Sequence, residues 1–419
     1  MLNSLKFPAS DKSKIKAIAT LFLGNSGSMA IYMVSLVILG AILNKVDFGY
    51  FRVGYTYITI SISVALLGLN TSITKRLPEF SVPQKRGVIF FCIIASLCAA
   101  FVSGAAIYAL MPREKPNSFD VVEFLYIFSF PAAVFGGALC QITLAVLQAE
   151  NKFHEYSRFQ FQWRLILFSF AIFGGLVGNS AHVFIFMSVS YVIILFYIYL
   201  HLRPVLTGTP VNDRMDFSGV YGVVRGAFWP LAAICTSAFY GNAEFLFLKK
   251  SDMVTGLAGS YSYASFIFIG GAALFLPFQT YAGSMIVTKR MGLRGLLKLQ
   301  LICFCFVAAI AGLSTFFARL LNYIDPNRFD INFVDFSYMV AIKLALWGAY
   351  AVTGSVLNFI GKEFEAFLIV LLGLIVIIVA PIVFDIPYEL RSILMLQIIT
   401  GVFVLIGSKV LVISGLRKS

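Results

Sequence analysis

Long apolar runs separated by short polar segments organise the whole sequence. Residues 17–44, 53–74, 87–112 and 124–149 contain no Asp, Glu, Lys or Arg. Each run exceeds the roughly 20 residues that a helix needs to cross the hydrocarbon core of a bilayer. This part of the chain therefore predicts four transmembrane helices.

Residues 165–200 form a longer uncharged run. As a single helix it would extend about 54 Å, well beyond the thickness of a bilayer core. The sequence Gly-Gly-Leu-Val-Gly-Asn-Ser at 174–180 contains residues typical of a turn. We therefore predict two helices in this run, joined by that turn.

Six further apolar runs follow a polar segment near the middle of the chain, and each predicts one helix. They are 226–247, 256–285, 296–318, 336–360, 365–384 and 391–412. Together the runs predict an all-α polytopic membrane protein with twelve transmembrane helices. Equal halves of six helices have the same orientation, as in transporters built from parallel repeats. We predict an N-terminal lobe at 1–205, a cytoplasmic linker at 206–225 and a C-terminal lobe at 226–419.

Composition and charge support the membrane class. The chain is 60% hydrophobic and 12% charged, whereas a soluble domain is about 25% charged. The net charge of +13 would suggest nucleic acid in a soluble protein, but here most Lys and Arg lie in loops on one side of the predicted topology. The positive-inside rule places that side, with both termini, in the cytoplasm. We therefore expect no nucleic-acid partner.

Motifs for catalysis or metal binding are not recognisable in the sequence. It contains no Gly-x-x-x-x-Gly-Lys-Ser/Thr phosphate loop, no His-Glu-x-x-His and no Gly-x-Ser-x-Gly. The three histidines are far apart, and the six cysteines all lie in apolar runs. We therefore predict a transporter without cofactor or metal, and not an enzyme.

Five charged residues fall within or at the ends of predicted helices, where an ionisable side chain is costly and tends to face the bundle interior. They are Arg52, Arg164, Arg225, Glu244 and Lys343. The arginines either reach the lipid headgroups or line a cationic cavity. Glu244 and Lys343 either form a structural salt bridge, or Lys343 contacts an anionic substrate while Glu244 carries a coupling proton or cation.

Two further groups of residues admit a structural and a functional interpretation. Polar residues within the helices either pack helices together or form the polar wall of a cavity. Basic residues at the inner end of the second helix of each half either fix the topology or rim the cavity. The first group is Asn25, Ser26, Ser28, Asn242 and Asn358, and the second is Lys75, Arg76, Lys289 and Arg290.

Two segments in the first 80 residues resemble signatures of a known family. LNKVDFGY at 43–50 is similar to the Leu-x-x-x-Asp/Glu-Phe-Gly-x-Tyr loop after the first helix of Wzx-type polysaccharide flippases. LGLN at 67–70, followed by RLPE at 76–79, is similar to that family's Leu-Gly-Leu segment ending in Arg-x-x-Pro-Glu. The same superfamily includes the multidrug and toxic-compound extruders, or MATE transporters.

The resemblance implies two MATE-like six-helix lobes around a central cavity. It also implies the substrate, an O-antigen or similar oligosaccharide on undecaprenyl diphosphate. Such a flippase moves its substrate across the bacterial inner membrane by alternating access, in the biosynthesis of lipopolysaccharide or another polysaccharide. A cationic cavity for the diphosphate, H⁺ or Na⁺ as coupling ion, membrane lipids and the polysaccharide polymerase machinery are further implied partners.

Two other functions fit parts of the pattern. A cation-coupled multidrug-type exporter of small amphiphiles has the same helix count, but converging cations in the cavity favour a flippase. A membrane-embedded polysaccharide polymerase or ligase would be an enzyme and would need a sizeable outer loop with catalytic charges. The longest predicted outer loop, 319–335, is short for that purpose.

Overall fold

The computed structural model is helical throughout, with short turns, over the residues that it describes. These residues are 9–111, 121–150, 152–207, 216–248, 251–252, 255–271, 293–359 and 362–416, and they contain no β-strand. By the charge-based topology, we call the end of the bundle at which the first helix ends and the second begins the outer end.

Within the described residues, the first half of the chain forms seven helices. They are α1 Ala9–Ile42, α2 Lys45–Ala65, α3 Leu69–Arg76, α4 Val82–Leu110, α5 Val121–Ala149, α6 Phe153–Val177 and α7 Ser180–Thr207, with a 3₁₀ turn at Leu77–Glu79 between α3 and α4. The break between α6 and α7 lies within the predicted turn at 174–180. The prediction of two helices in residues 165–200 is therefore confirmed.

The second half contributes seven more helices within the described residues. They are α8 Ser218–Gly241, α9 Ala243–Leu246, α10 at 257–271, α11 Leu293–Ile324, α12 Ile331–Phe359, α13 Glu363–Val383 and α14 Leu390–Leu416. Nine of the described helices, α4 to α8 and α11 to α14, are long and apolar enough to cross a membrane. The other three predicted transmembrane runs correspond to α1, α2 and α10.

The second predicted span differs from its apolar run at both ends. The Asn44 side chain accepts a hydrogen bond of 2.8 Å from the Asp47 N–H and caps α2, so the helix begins in a polar segment that hydropathy assigns to a loop. Arg52 therefore lies about two turns inside α2. The apolar run had predicted it at a helix start, and that prediction is wrong. At the other end, the left-handed backbone of Gly68 (φ +69°) separates α2 from α3, and a Cβ there would lie 2.4 Å from the Ala227 carbonyl oxygen of α8.

Helices pack mainly against others of their own half. α1 packs on α6, α5 packs on α4 and α7, α12 packs on α11 and α14, and α8 packs on α13. α2, α3 and α4 also contact α8 across the two halves. Both α7 and α8 extend into the predicted linker at 206–225, because each stays helical beyond its apolar run. Residues 208–215 of that linker lie outside the described part of the chain.

Polar contacts join the two halves at the outer end. The Lys45 ammonium of α2 lies 2.7 Å from the Asp330 carboxylate, which immediately precedes α12. The Tyr263 hydroxyl of α10 donates to the Gly40 carbonyl of α1 at 2.7 Å. These contacts hold the outer ends of α1 and α2 against the second half.

The Asp330 carboxyl is stabilised in its ionised form. Its partial burial alone raises its pKa, but hydrogen bonds from Lys45, from the Phe333 N–H and from the Ser260 hydroxyl, with the Lys45 charge, hold the pKa of Asp330 below its ordinary value. The contact therefore stabilises the packing of α2 against the start of α12 at neutral pH. That contribution is lost when the pH falls through the lowered pKa.

Asp330→Asn is expected to lower the melting temperature of the purified protein at pH 7, because it removes the ion pair with Lys45. The difference from the unmodified protein should begin to shrink below about pH 4, where the carboxyl of the unfolded chain takes up protons, and should shrink further as the native carboxyl follows at lower pH. Melting curves recorded in detergent from pH 3 to 7 measure this. Asp385→Asn, a change at an exposed carboxyl, is the matched control, and a difference that persists unchanged at pH 3 would contradict the assignment.

Candidate functional site

Arg52 is a buried cation at the contact between the two halves. Its side chain is 4% exposed. Nη1 donates to the Tyr32 hydroxyl of α1 at 2.8 Å, and Nη2 donates to the Ser265 hydroxyl of α10 at 3.2 Å. The guanidinium also lies 5.6 Å from the centre of the Phe245 ring. Its Nε is buried without a hydrogen-bond partner, and no carboxylate of the described residues pairs with it.

Arg164 of α6 is a second cation that approaches the same tyrosine. Its guanidinium carbon lies 5.8 Å from the centre of the Tyr32 ring and 5.0 Å from the centre of the Trp163 ring. Its Nε is also buried without a partner. Within the described part of the chain, no acidic side chain forms an ion pair with Arg164.

Aromatic rings of the first half lie around this arginine pair. Tyr32 lies 5.5 Å from Tyr55 and 5.1 Å from Phe168, measured between ring centres. We call Arg52, Arg164 and Tyr32 the arginine site. A cation held in a low-dielectric interior without an anion is costly, and arginine binds phosphate through parallel N–H donors. The arginine site is therefore suited to an anionic ligand.

Glu244 is the centre of a second polar cluster, in the second half. Oε1 accepts from the Tyr261 hydroxyl at 2.6 Å and from the Lys343 ammonium at 2.7 Å, and Oε2 accepts from Gln397 Nε2 at 2.6 Å. The Lys343 ammonium donates also to the Gly241 carbonyl at 2.9 Å. We call Glu244, Tyr261, Lys343 and Gln397 the carboxylate network. They come from α9, α10, α12 and α14, so one carboxylate holds four elements together.

The ion pair of the carboxylate network is almost fully buried. The side chains of Lys343 and Glu244 are 4% and 3% exposed. A cavity of about 20 Å³ adjoins Lys343, Gln397 and Tyr240, which is enough room for one water molecule. Of the two interpretations that the sequence left open for Glu244 and Lys343, the structure contains the salt bridge.

The two clusters are in physical contact. Phe245, adjacent to Glu244 in α9, lies under the Arg52 guanidinium and 5.0 Å from the Tyr261 ring. Tyr261 and the Arg52 partner Ser265 lie one turn apart on α10. A change in the carboxylate network can therefore reach the arginine site through α9 and α10.

The other predicted site residues have varied surroundings. Arg225 is exposed on α8, and the Arg76 side chain packs beside Gly222 and Gly226 of α8. Asn242 Nδ2 donates to the Ala238 carbonyl at 2.9 Å where α8 ends, and Ser28 is buried in α1. The following lie, with at least their side chains, outside the described part of the chain: Asn25, Ser26, Lys75, Lys289, Arg290 and Asn358.

Several residues of the two clusters were not predicted as site residues. Tyr32, Tyr261 and Gln397 lie within apolar runs and carry no charge, so no sequence signal separated them from packing residues. Trp163 and Gln160 had a usable signal. They precede Arg164 by one and four residues. The helical period places Gln160, Trp163 and Arg164 on one face of α6.

No known protein-family model matches the sequence, and no curated protein matches it. Solved structures do match, over nearly the whole chain. The eukaryotic MATE transporter AtDTX14 gives a TM-score of 0.64 at 13% identity and covers 98% of both chains. An outward-facing multidrug resistance MATE family transporter of the MOP superfamily gives 0.65 at 15% identity, covering 96% of this chain and 97% of that one. The chain has the MATE fold.

An inward-facing structure of a multidrug resistance MATE family transporter gives a TM-score of 0.64 at 14% identity, with 96% of each chain covered. The overall likeness is thus nearly equal for the two conformations. The MATE fold confirms the predicted all-α, twelve-helix architecture.

Proposed function

We propose that the protein is a flippase that carries an oligosaccharide, linked to a polyprenyl diphosphate, across the bacterial inner membrane by alternating access. The observation that supports this most is the arginine site. Arg52, at the contact between the halves, and Arg164 of α6 have no carboxylate partner among the described residues, and each has a buried Nε that makes no hydrogen bond. A diphosphate supplies the missing negative charge and several acceptors.

The charge of the interior separates this proposal from export of a cationic amphiphile. A buried carboxylate without other donors would favour a cationic substrate. In the described ranges the buried carboxylates are Glu123 and Glu244. Glu123 accepts from the Tyr108 hydroxyl at 3.2 Å, and Glu244 is held by three donors. The multidrug-type exporter is therefore the second candidate, and its support is the likeness in fold.

The carboxylate network is our candidate for ion coupling. Protonation of Glu244, or a monovalent cation that displaces the Lys343 ammonium, removes the charge attraction that holds α9 and α12 together. Arg52 contacts α9 through Phe245 and α10 through Ser265, so the change reaches the anion-binding residues. In this proposal the lobes 1–205 and 226–419 rotate about the linker 206–225, both termini are cytoplasmic, and the released substrate is passed to polysaccharide polymerase machinery.

Deletion of the gene is expected to cause accumulation of a saccharide linked to polyprenyl diphosphate on the inner face of the membrane. The reason is that synthesis continues while translocation stops. Extraction of the lipid-linked saccharides and mass spectrometry, with a plasmid copy of the gene as control, measure this. Unchanged lipid-linked saccharides together with greater sensitivity to cationic drugs would favour the multidrug-type exporter.

A further inference from the structure

Three neighbouring side chains of α6 hold polar atoms that are buried and make no hydrogen bond. They are Gln160 Oε1, Trp163 Nε1 and Arg164 Nε. The Trp163 side chain is only 6% exposed. Residues separated by three and four positions lie on one face of a helix, so the three groups form a single strip along α6.

The strip combines different hydrogen-bonding types within one turn. Gln160 Oε1 accepts, Trp163 Nε1 donates, and the Arg164 guanidinium donates with a positive charge. Buried polar groups are rarely left without a partner, because each lost hydrogen bond to water must be replaced. Three unpaired groups on one face of one helix therefore leave hydrogen-bonding capacity for a polar ligand at this position.

We propose that Gln160 and Trp163 recognise the sugar that is attached to the anion bound at Arg164. This inference rests on the proposed function and adds the residues that bind the carbohydrate. A sugar hydroxyl can both donate and accept a hydrogen bond. One hydroxyl can therefore donate to Gln160 Oε1, while a second hydroxyl or the ring oxygen accepts from Trp163 Nε1. An isoprenoid or acyl chain offers neither group.

The placement of the strip fits a sugar joined directly to a phosphate. The Arg164 guanidinium lies 5.0 Å from the centre of the Trp163 ring, so a phosphate bound there has the indole beside it. Gln160 precedes Arg164 by four residues, which is about 6 Å along the helix axis, on the scale of one sugar ring. Because α6 begins at the inner end, the sugar lies on the inner side of the anion.

The test compares two classes of probe on the purified full-length protein in lipid nanodiscs. One is a short-chain prenyl diphosphate, and the other is the same molecule carrying one glucose or one N-acetylglucosamine on its terminal phosphate. The unmodified protein should bind at least one sugar-bearing probe about tenfold more tightly than the plain probe, the effect of one or two hydrogen bonds.

Gln160→Leu and Trp163→Phe should each reduce this preference several-fold and leave the affinity for the plain prenyl diphosphate unchanged. Phenylalanine keeps an aromatic ring beside Arg164 and removes only the N–H donor. Gln160→Met is a second variant of similar shape in case the leucine variant does not fold. The matched controls are Gln162→Leu on α6 and Trp229→Phe, whose ring is 42% exposed, and both should bind the probes as the unmodified protein does.

The outcomes separate the two proposals. If the plain prenyl diphosphate binds but neither sugar adds affinity, or if the Gln160 and Trp163 variants keep the full preference, the sugar-reading strip is wrong and the anion site stands. If no diphosphate probe binds, the proposed function fails together with this inference. A preference lost in these variants and kept in the controls supports the assignment.

Discussion

Arg52→Gln combined with Arg164→Gln is expected to abolish transport while the protein remains folded and inserted. The guanidinium groups form no ion pair with a described residue. Removal of their charge therefore leaves no described carboxylate without its partner. Each lost charge-assisted hydrogen bond costs about 1.5–3 kcal/mol. Loss of both cations should therefore weaken binding of a diphosphate lipid by roughly 100-fold or more.

Complementation of a deletion strain, with membrane abundance measured in parallel, tests this prediction. Arg52→Lys should retain part of the activity, since it keeps the charge and loses the planar fork. Arg319→Gln is the control, because Arg319 is exposed and lies over the Tyr338 ring outside the site. Full complementation by the double variant would show that the arginine site does not bind the substrate.

Glu244→Gln is expected to destabilise the protein strongly. It leaves the Lys343 ammonium buried at 4% exposure without its counter-charge, and loss of one partner from a buried ion pair costs about 3–5 kcal/mol. Lys343→Met should have a similar effect for the opposite reason. The double variant should recover most of the lost stability, because neither charge then remains.

Thermal unfolding in detergent measures the stability of the three variants, and transport by the double variant tests the coupling. That variant should move substrate down its own gradient without response to a proton or sodium gradient. If Glu244→Gln folds with unchanged stability, the carboxylate network does not hold α9, α10, α12 and α14 together. If the double variant still responds to the gradient, Glu244 is not the coupling residue.

The interpretation of Lys343 as the main substrate contact has less structural support than its alternative. Its ammonium is already used by Glu244 and by the Gly241 carbonyl. A substrate phosphate at Lys343 would have to displace a carboxylate at 2.7 Å. Arg52 and Arg164, which meet no such competitor, are the better candidates.

The helices were predictable because each needs a long apolar run to cross the hydrocarbon core, and hydropathy identifies such runs. The break after Val177 followed from run length and small residues alone. The start of α2 was not predictable from hydropathy, because the Asn44 cap extends the helix through charged positions. That extension is what turns Arg52 from an interfacial residue into a buried one.

The composition of the site depended on contacts that sequence spacing does not encode. Tyr32 joins Arg52 and Arg164, although the three residues lie on three different helices. The Glu244–Lys343 pair could be proposed from similar predicted depth, but Gln397 and Tyr261 could not, since neutral polar residues in a helix occur equally in packing. Trp163 and Gln160 had a sequence signal in their spacing from Arg164, and their unpaired buried atoms, visible in the structure, distinguish them from packing residues.

Reconstitution of the purified protein into liposomes tests the central claim most directly. The measurement is the movement of a fluorescent short-chain prenyl diphosphate saccharide between leaflets, followed by quenching from one side. The account predicts protein-dependent movement that the Arg52→Gln/Arg164→Gln variant lacks, and no movement of a cationic dye. Movement of the cationic dye, with the diphosphate lipid no faster than in protein-free liposomes, would contradict it.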